Sequence, residues 1–232
     1  MKNKDFFFQQ YDKINWANQE DTKLNTSVYN YILDKILIKS SGKLFEIGSG
    51  IGFFIRMLKE KFGNNLEIEG CEPSKKSYDY YMQNKGKQSN VKIYLETFQN
   101  VKTSNKFDFI TAIYVFPHFV EEDLELIAKK VNSMRNNKGK LILVVSNEEY
   151  LRNKLKTKKD LFIEQNTVEF KDKKYKEYLH YVEIPGMGTV IDYDREEKYY
   201  EDLFEANGLK LVKKDNLKSD EYVCTVFIFE KK

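Results

Sequence analysis

An apolar run near residue 45 ends in an acidic residue followed by three glycines at alternate positions: Glu46, then Gly48, Gly50 and Gly52. Glycines at this spacing allow a tight turn and let a ligand lie against bare backbone, while the amides at a helix N-terminus favour an anionic group. A nicotinamide-binding fingerprint would place its third glycine at position 53, which is Phe53. The spacing therefore predicts a ligand-binding turn and argues against a nicotinamide site.

A second acidic residue, Glu72, follows the next apolar run. At the carboxyl edge of a sheet, such a side chain can accept hydrogen bonds from both ribose hydroxyls of an adenosine lying across the glycine turn. The alternative is a surface acid stabilised by the dipole of the helix that follows.

The sequence contains two histidines, His118 and His180. Histidine is the side chain best suited to accept a proton near neutral pH, because its ordinary pKa is about 6.5. His118 follows the fourth strand-like run, at the edge where open α/β sheets bind ligands, and His180 lies on a predicted hairpin. Both are candidate catalytic bases, with His118 preferred.

The elements that position these residues alternate between apolar runs and amphipathic stretches. Strand-like runs occur at 44–47, 66–71, 91–95, 107–115 and 141–145, and helix-like stretches separate most of them. Parallel strands need crossover connections, so the alternation predicts a parallel sheet with helices on both faces. After a helix at 196–207, runs at 209–212 and 223–229 without a helix between them predict an antiparallel last strand.

We predict one domain over residues 1–232, consisting of an N-terminal helical cap (1–40), a cofactor-binding core (41–146), an insertion over the acceptor site (147–195) and a last helix with a strand pair (196–232). Within the insertion, runs at 178–184 and 189–193 flank a Pro-Gly-Met-Gly turn, which predicts a β-hairpin.

The two acidic motifs, together with Glu96-Thr-Phe98 after the third run and the run that opens at 107, resemble class I S-adenosylmethionine-dependent methyltransferases. The resemblance covers roughly Asp34 to Lys232. It implies an α/β, Rossmann-like, seven-stranded and mostly parallel sheet with an antiparallel last strand. Helices on both faces, the helical cap and the β-hairpin insertion after strand 5 complete the expected fold.

The resemblance also implies the cofactor S-adenosyl-L-methionine, with S-adenosyl-L-homocysteine as product. In that family the glycine motif holds the methionine portion, the acid after the second strand holds the ribose, and the residue after the third, normally Asp and here Glu96, contacts the adenine. An early tyrosine often covers the cofactor. The implied cofactor-binding residues are Tyr11, Glu46, Gly48, Gly50, Gly52, Glu72, Pro73, Glu96, Thr97, Phe98 and Ile113.

By similarity of size and layout, the expected activity is methyl transfer to an oxygen or nitrogen of a small polar metabolite, such as a sugar, a phosphorylated metabolite or an amine. The sequence lacks the Asp-Pro-Pro-Tyr and Pro-Cys motifs of enzymes that methylate nucleic-acid bases, and we predict no metal site. Two alternatives remain open: an NAD(P)-dependent oxidoreductase on a Rossmann-like sheet and a non-catalytic adenosyl-ligand-binding protein.

Composition limits the partners. The 39 basic and 36 acidic residues are interspersed and give a net charge of +3, so no broad positive field attracts nucleic acid. No apolar run is long enough to span a membrane, and the first residues lack the apolar stretch of a secretory signal. We expect a cytoplasmic protein that binds a small-molecule acceptor and neither nucleic acid nor membrane; the oligomeric state stays open.

Overall fold

A computed structural model describes residues 10, 12–13, 23–36, 41–84, 90–184, 188–219 and 222–232, so the predicted cofactor residue Tyr11 lies outside the described residues. The strands are β1 (Gly42–Ile47), β2 (Leu66–Cys71), β3 (Val91–Tyr94), β4 (Phe107–Ile113), β5 (Arg135–Ser146), β6 (Phe162–Phe170), β7 (Lys173–Ile184), β8 (Gly188–Arg195), β9 (Leu209–Ser219) and β10 (Tyr222–Lys231).

Seven strands form the main sheet in the order β3-β2-β1-β4-β5-β10-β9. Strands β1 to β5 pair in parallel, whereas β10 is antiparallel to both β5 and β9. The predicted mostly parallel sheet with an antiparallel last strand is therefore confirmed. Because β1 lies between β2 and β4, the turns that follow these three strands meet at one edge, where the strand order reverses direction and α/β sheets bind ligands.

The helices are α1 (Lys23–Tyr31), α2 (Phe53–Phe62), α3 (Lys75–Asn84), α4 (Glu121–Met134), α5 (Glu148–Thr157) and α6 (Glu197–Ala206), and a π-helical turn (Ile32–Ile36) continues α1. Side chains alternate across a strand, so neighbours such as Leu44 and Phe45 enter separate apolar clusters on opposite faces of the sheet. One cluster contains α4 and α6, and the other contains α1 and α2.

Helix α4 shows how sequence determines an element here. Three acidic residues occupy its first turn, where the helix dipole favours negative charge. Its apolar stripe, which includes Leu124, Ile127 and Val131, is fully buried, and each such side chain stabilises the fold by roughly 1.5–3 kcal/mol.

The segment between β5 and α6 forms helix α5 and a second, three-stranded antiparallel sheet in the order β6-β7-β8. The predicted hairpin corresponds to β7 and β8, but strand β6 was not predicted, so the insertion is larger than a hairpin. Its two ends are tied together, because the Glu148 amide donates to Glu197 Oε1 (3.1 Å) and the Glu197 amide donates to Glu148 Oε2 (3.2 Å).

Candidate active site

The turn between β1 and α2 leaves bare backbone at one position. Gly50 has a φ of 53°, and a Cβ built there would meet nothing within 4 Å. Gly52 differs, because a Cβ there would lie 2.2 Å from Cδ2 of the Tyr81 ring. Gly52 therefore permits packing between α2 and α3, whereas Gly50 leaves open space that a ligand can use.

Glu72, directly after β2, is bound to the same turn. Its Oε2 accepts a hydrogen bond from the Gly50 amide (2.8 Å), and its Oε1 accepts one from the Ser74 amide (2.9 Å). Burial raises the pKa of this carboxyl to about 7, although the two backbone donors act in the opposite direction. The carboxyl is thus held against the open glycine position and titrates near neutral pH.

Glu46, at the end of β1, lies beneath the turn. It is 4% exposed, and its Oε2 is buried without a hydrogen-bond partner among the described residues. Burial, and secondarily the charge of Glu72, raises its pKa well above the usual range. A buried carboxyl oxygen with unused hydrogen-bonding capacity is costly unless a ligand or water satisfies it.

These turns enclose a cavity with about 920 Å³ of empty space, counted out to its open mouth. Most of its walls come from segments that follow β1, β2, β3 and β4. The lining residues are Tyr29, Ile47, Gly48, Gly50, Cys71, Glu72, Pro73, Ser74, Ser77, Thr97, Phe98, Ile113, Tyr114, Val115, His118 and Phe119.

Several predicted site residues do not line this cavity. Glu96 is exposed, because β3 ends at Tyr94 and the chain bends before the cavity wall begins at Thr97. Gly52 caps helix α2, Glu46 is buried in β1 and is not among the lining residues, and His180 is buried in β7. Seven predicted cofactor-binding residues line the cavity, and the predicted base His118 lines it as well. The seven are Gly48, Gly50, Glu72, Pro73, Thr97, Phe98 and Ile113.

Lys130 of α4 fixes the loop that carries Thr97 and Phe98. Its Nζ donates to the carbonyls of Gln99 (2.8 Å) and Val101 (2.6 Å) and lies 5.2 Å from the centre of the Phe98 ring. The sequence analysis did not single out Lys130, because its position on an amphipathic helix is typical of a solvated lysine.

His118 ends a short 3₁₀ turn (Phe116–His118) that follows β4. Its Nδ1 lies 3.2 Å from Oδ1 of Asp192 on β8, but the alignment falls outside hydrogen-bond geometry. His118 is thus the point where the wall of the cavity meets the second sheet.

Arg195, at the end of β8, joins the second sheet to the turn that carries His118. It forms a fully buried ion pair with Glu177 (2.6 Å), and its Nη2 donates to the Phe119 carbonyl (3.0 Å). Polar contacts from a buried guanidinium therefore fix the backbone just after His118.

The N-terminal segment contacts both sides of the site. The Gln10 side chain accepts a hydrogen bond from the Ile191 amide of β8 (2.7 Å), and Asp12 accepts one from the Ser74 hydroxyl (2.7 Å). Gln10 therefore contacts the second sheet, and Asp12 contacts the residue just before α3.

A family model described as a methyltransferase domain matches residues 16–214. The chain belongs to the methyltransferase domain family. A curated relative described as an uncharacterized methyltransferase, from Alkaliphilus oremlandii (strain OhILAs), is 27% identical over 191 residues, which cover 75% of this chain and 84% of the relative. Membership of this family removes the oxidoreductase alternative.

Solved structures share the class I methyltransferase fold. A protein from Pyrococcus horikoshii OT3 superposes with a TM-score of 0.69 at 17% identity, covering 96% of this chain and 99% of the other. The N-methyltransferase NodS from Bradyrhizobium japonicum WM9, in complex with S-adenosyl-L-homocysteine, superposes with a TM-score of 0.68 at 13% identity, covering 98% and 99%. In the part of this methyltransferase that the structure describes, no helix is long and apolar enough to cross a membrane.

Proposed function

We propose that this methyltransferase transfers a methyl group from S-adenosyl-L-methionine to an oxygen or nitrogen of a small polar acceptor. The observation that carries the proposal is the cavity in which Gly50, Glu72 and His118 meet. Gly50 offers uncovered backbone, Glu72 offers two carboxylate oxygens, and His118 offers a proton acceptor at the end nearest the second sheet.

The residues present fit this cofactor on two observations. A Cβ at Gly50 would occupy space that no protein atom fills, and the buried Oε2 of Glu46 has no hydrogen-bond partner among the described residues. Glu72 would accept hydrogen bonds from the ribose hydroxyls, Glu46 would accept them from the methionine portion, and Phe98 would lie against the adenine. When bound, the cofactor supplies an electrophilic methyl group on a sulfonium.

The protein contributes orientation and proton removal. Methyl transfer requires the acceptor atom to lie in line with the bond that breaks between the methyl group and sulfur. By holding the acceptor there, the protein replaces a chance encounter of two molecules in solution with a step within one complex. An ammonium must lose a proton before it has a lone pair that can react, and a hydroxyl reacts faster as its proton is removed. A base of near-neutral pKa typically contributes about 100-fold to 10,000-fold. His118 lines the cavity and is the base that we propose; His180 is buried outside it.

The first experiment is calorimetry against S-adenosyl-L-homocysteine, with NADH as the control ligand. Glu72→Ala and Gly50→Val should each weaken binding by about 1–3 kcal/mol or more, because the first leaves ligand hydroxyls unpaired and the second fills the ligand space. Equal affinity in the parent and both variants would show that the glycine turn is not the cofactor site.

The second experiment is a screen of metabolite pools for methyl acceptors, using S-adenosyl-L-methionine labelled in its methyl group. Turnover of any acceptor separates an enzyme from a protein that only binds the cofactor. For an acceptor found in this way, His118→Ala should lower turnover with unchanged cofactor affinity, and His180→Ala, which removes a buried ring outside the cavity, should lower it less. Full activity of His118→Ala from pH 6 to 9 would contradict its role as base.

A further inference from the structure

Four titratable side chains form a continuous row next to the cavity. His118 approaches Asp192 (Nδ1 to Oδ1, 3.2 Å), and Asp194 accepts a hydrogen bond from His180 Nε2 (2.9 Å). Asp192 and Asp194 are two residues apart on β8 and so point to the same side of the sheet, and His180 of β7 pairs directly with Asp192 in register. We call these four residues the His–Asp row.

Three of the four members are largely withdrawn from water. His180 is 3% exposed, Asp194 is 2% exposed and Asp192 is 9% exposed. Two carboxylates placed side by side in a buried site repel each other strongly, and one of them takes up a proton unless a positive charge stands nearby. The charge state of the row therefore depends on whether His180 carries a proton.

Both ring nitrogens of His180 face oxygen acceptors, because Nδ1 lies 3.2 Å from the Tyr181 carbonyl and Nε2 lies 2.9 Å from Asp194. Burial lowers the pKa of this ring, but the hydrogen bond to Asp194 and the charges of Asp194 and Asp192 outweigh burial and raise the pKa overall. The pKa of Asp192 is raised overall: burial raises it most and Asp194 raises it further, whereas His118 and, less strongly, His180 lower it. Other ionisable groups that face the row are Lys154 of α5, Tyr222 of β10 and Tyr200 of α6.

We propose that protonated His180, held in place by Asp194, acts as a fixed countercharge that keeps Asp192 ionised beside Asp194, and that ionised Asp192 holds the His118 ring with a proton on Nδ1. The carboxylate lies on the Nδ1 side of the ring, where it stabilises a proton on that nitrogen and leaves Nε2 to accept one. Contacts of this kind are often poorly aligned before substrates bind and tighten in the complex. Asp192, Asp194 and His180 are positioning residues in this scheme.

The use of the row in catalysis rests on the proposed function. When the acceptor binds, its O–H or N–H proton moves to Nε2 of His118, and the electron pair of the broken bond stays on the acceptor atom. The His118 ring then carries a positive charge, which the nearby Asp192 carboxylate stabilises. His180, which the sequence suggested as a second base, keeps its protons throughout.

The test uses nitrogen NMR of the histidine rings, which needs no acceptor. The chain contains only two histidines, so a ¹⁵N-labelled sample gives signals from two rings. The signals that disappear in His118→Ala belong to His118. At pH 7.5, with S-adenosyl-L-homocysteine bound, we expect His118 as the Nδ1–H tautomer and His180 protonated on both nitrogens. A parent spectrum with His118 mainly as the Nε2–H tautomer, or with His180 neutral, overturns the proposal.

Three variants test whether Asp192 controls the His118 tautomer and whether His180 acts on His118 through Asp192. Asp192→Asn should lower the ratio of the two His118 tautomers by about tenfold, because a hydrogen bond to a charged acceptor is stronger by about 1 kcal/mol or more than one to a neutral acceptor. His180→Gln should lower it as well, because the two carboxylates then share a proton. The double variant His180→Gln/Asp194→Asn should restore the ratio toward the parent value, because the repelling carboxylate is gone.

Restoration by the double variant is the decisive result, since a row that served only to support the fold would lose more with two changes than with one. If the double variant shows a ratio as low as His180→Gln alone, the countercharge role is wrong. Thermal unfolding and affinity for S-adenosyl-L-homocysteine are measured on every variant to identify the folded ones, and the parent spectrum decides the tautomers even if a variant fails to fold. Failure of methyl transfer in the acceptor screen leaves the spectra unaffected, so the two proposals fail separately.

Discussion

Affinity for S-adenosyl-L-homocysteine should depend on pH through Glu72. Burial raises the pKa of this carboxyl to about 7, Asp12 adds to the rise, and the amides of Ser74 and Gly50 oppose it. Only the ionised carboxylate can accept hydrogen bonds from two ribose hydroxyls with both oxygens. Cofactor binding should therefore favour the ionised form and release a proton.

The size of the effect follows from this pKa. With an ordinary value of 4.5 raised to about 7 in the free protein, most molecules carry a protonated Glu72 at pH 6 and few do at pH 8. The apparent Kd should therefore fall by about tenfold from pH 6 to pH 8, which corresponds to about 1.4 kcal/mol, and about half a proton should be released per ligand at pH 7.

The assay is calorimetry at pH 6, 7 and 8 in buffers of different ionisation enthalpy, which gives affinity and proton release together. Glu72→Gln is the matched control, because it keeps the side-chain volume and removes the titration, and the ligand's own titration is common to both proteins. A parent Kd that is flat from pH 6 to 8, or the same slope in Glu72→Gln, would refute the reasoning.

Gly52→Ala should lower stability by about 1–3 kcal/mol in thermal unfolding, because its Cβ would lie 2.2 Å from the Tyr81 ring and the ring must shift. Glu177→Ala should cost roughly 3–5 kcal/mol in a denaturant titration by leaving Arg195 buried without its carboxylate, and a loss below about 1 kcal/mol would contradict this. The interspersed charges predict negligible affinity for RNA at physiological salt; tight, salt-sensitive binding that disappears when the lysines of 152–159 are neutralised would overturn the small-molecule assignment.

The sequence predicted the parts of the fold that carry strong local patterns. The apolar runs predicted the parallel strands, and the apolar stripe of α4 (Glu121–Met134) lies in one of the helix-like stretches between them. Strand β6 was not predicted because most of its residues are exposed and polar, so that alternation between buried and exposed residues is nearly absent. Its partner is β7, and cross-strand pairing is not visible in a local pattern.

The candidate site also contains residues that the sequence identified and a contact that it could not predict. Glycine spacing and the acid after β2 identified Gly50 and Glu72, because their roles follow from backbone conformation and from position after a strand. The proximity of His118 to Asp192 depends on how the second sheet packs against the first, which no spacing along the chain encodes. The roles of all these residues in binding and catalysis remain predictions.

The reciprocal hydrogen bonds between Glu148 and Glu197 bring the two ends of the insertion to one point of the fold. A segment that leaves and rejoins a domain at neighbouring positions can be exchanged without changing the path of the surrounding chain. We propose that the insertion, which the sequence analysis expects over the acceptor site, can be transplanted as a unit. Its replacement by the corresponding segment of another methyltransferase, with Glu148 and Glu197 retained at the junction, offers a route to altered acceptor choice on an unchanged cofactor-binding core.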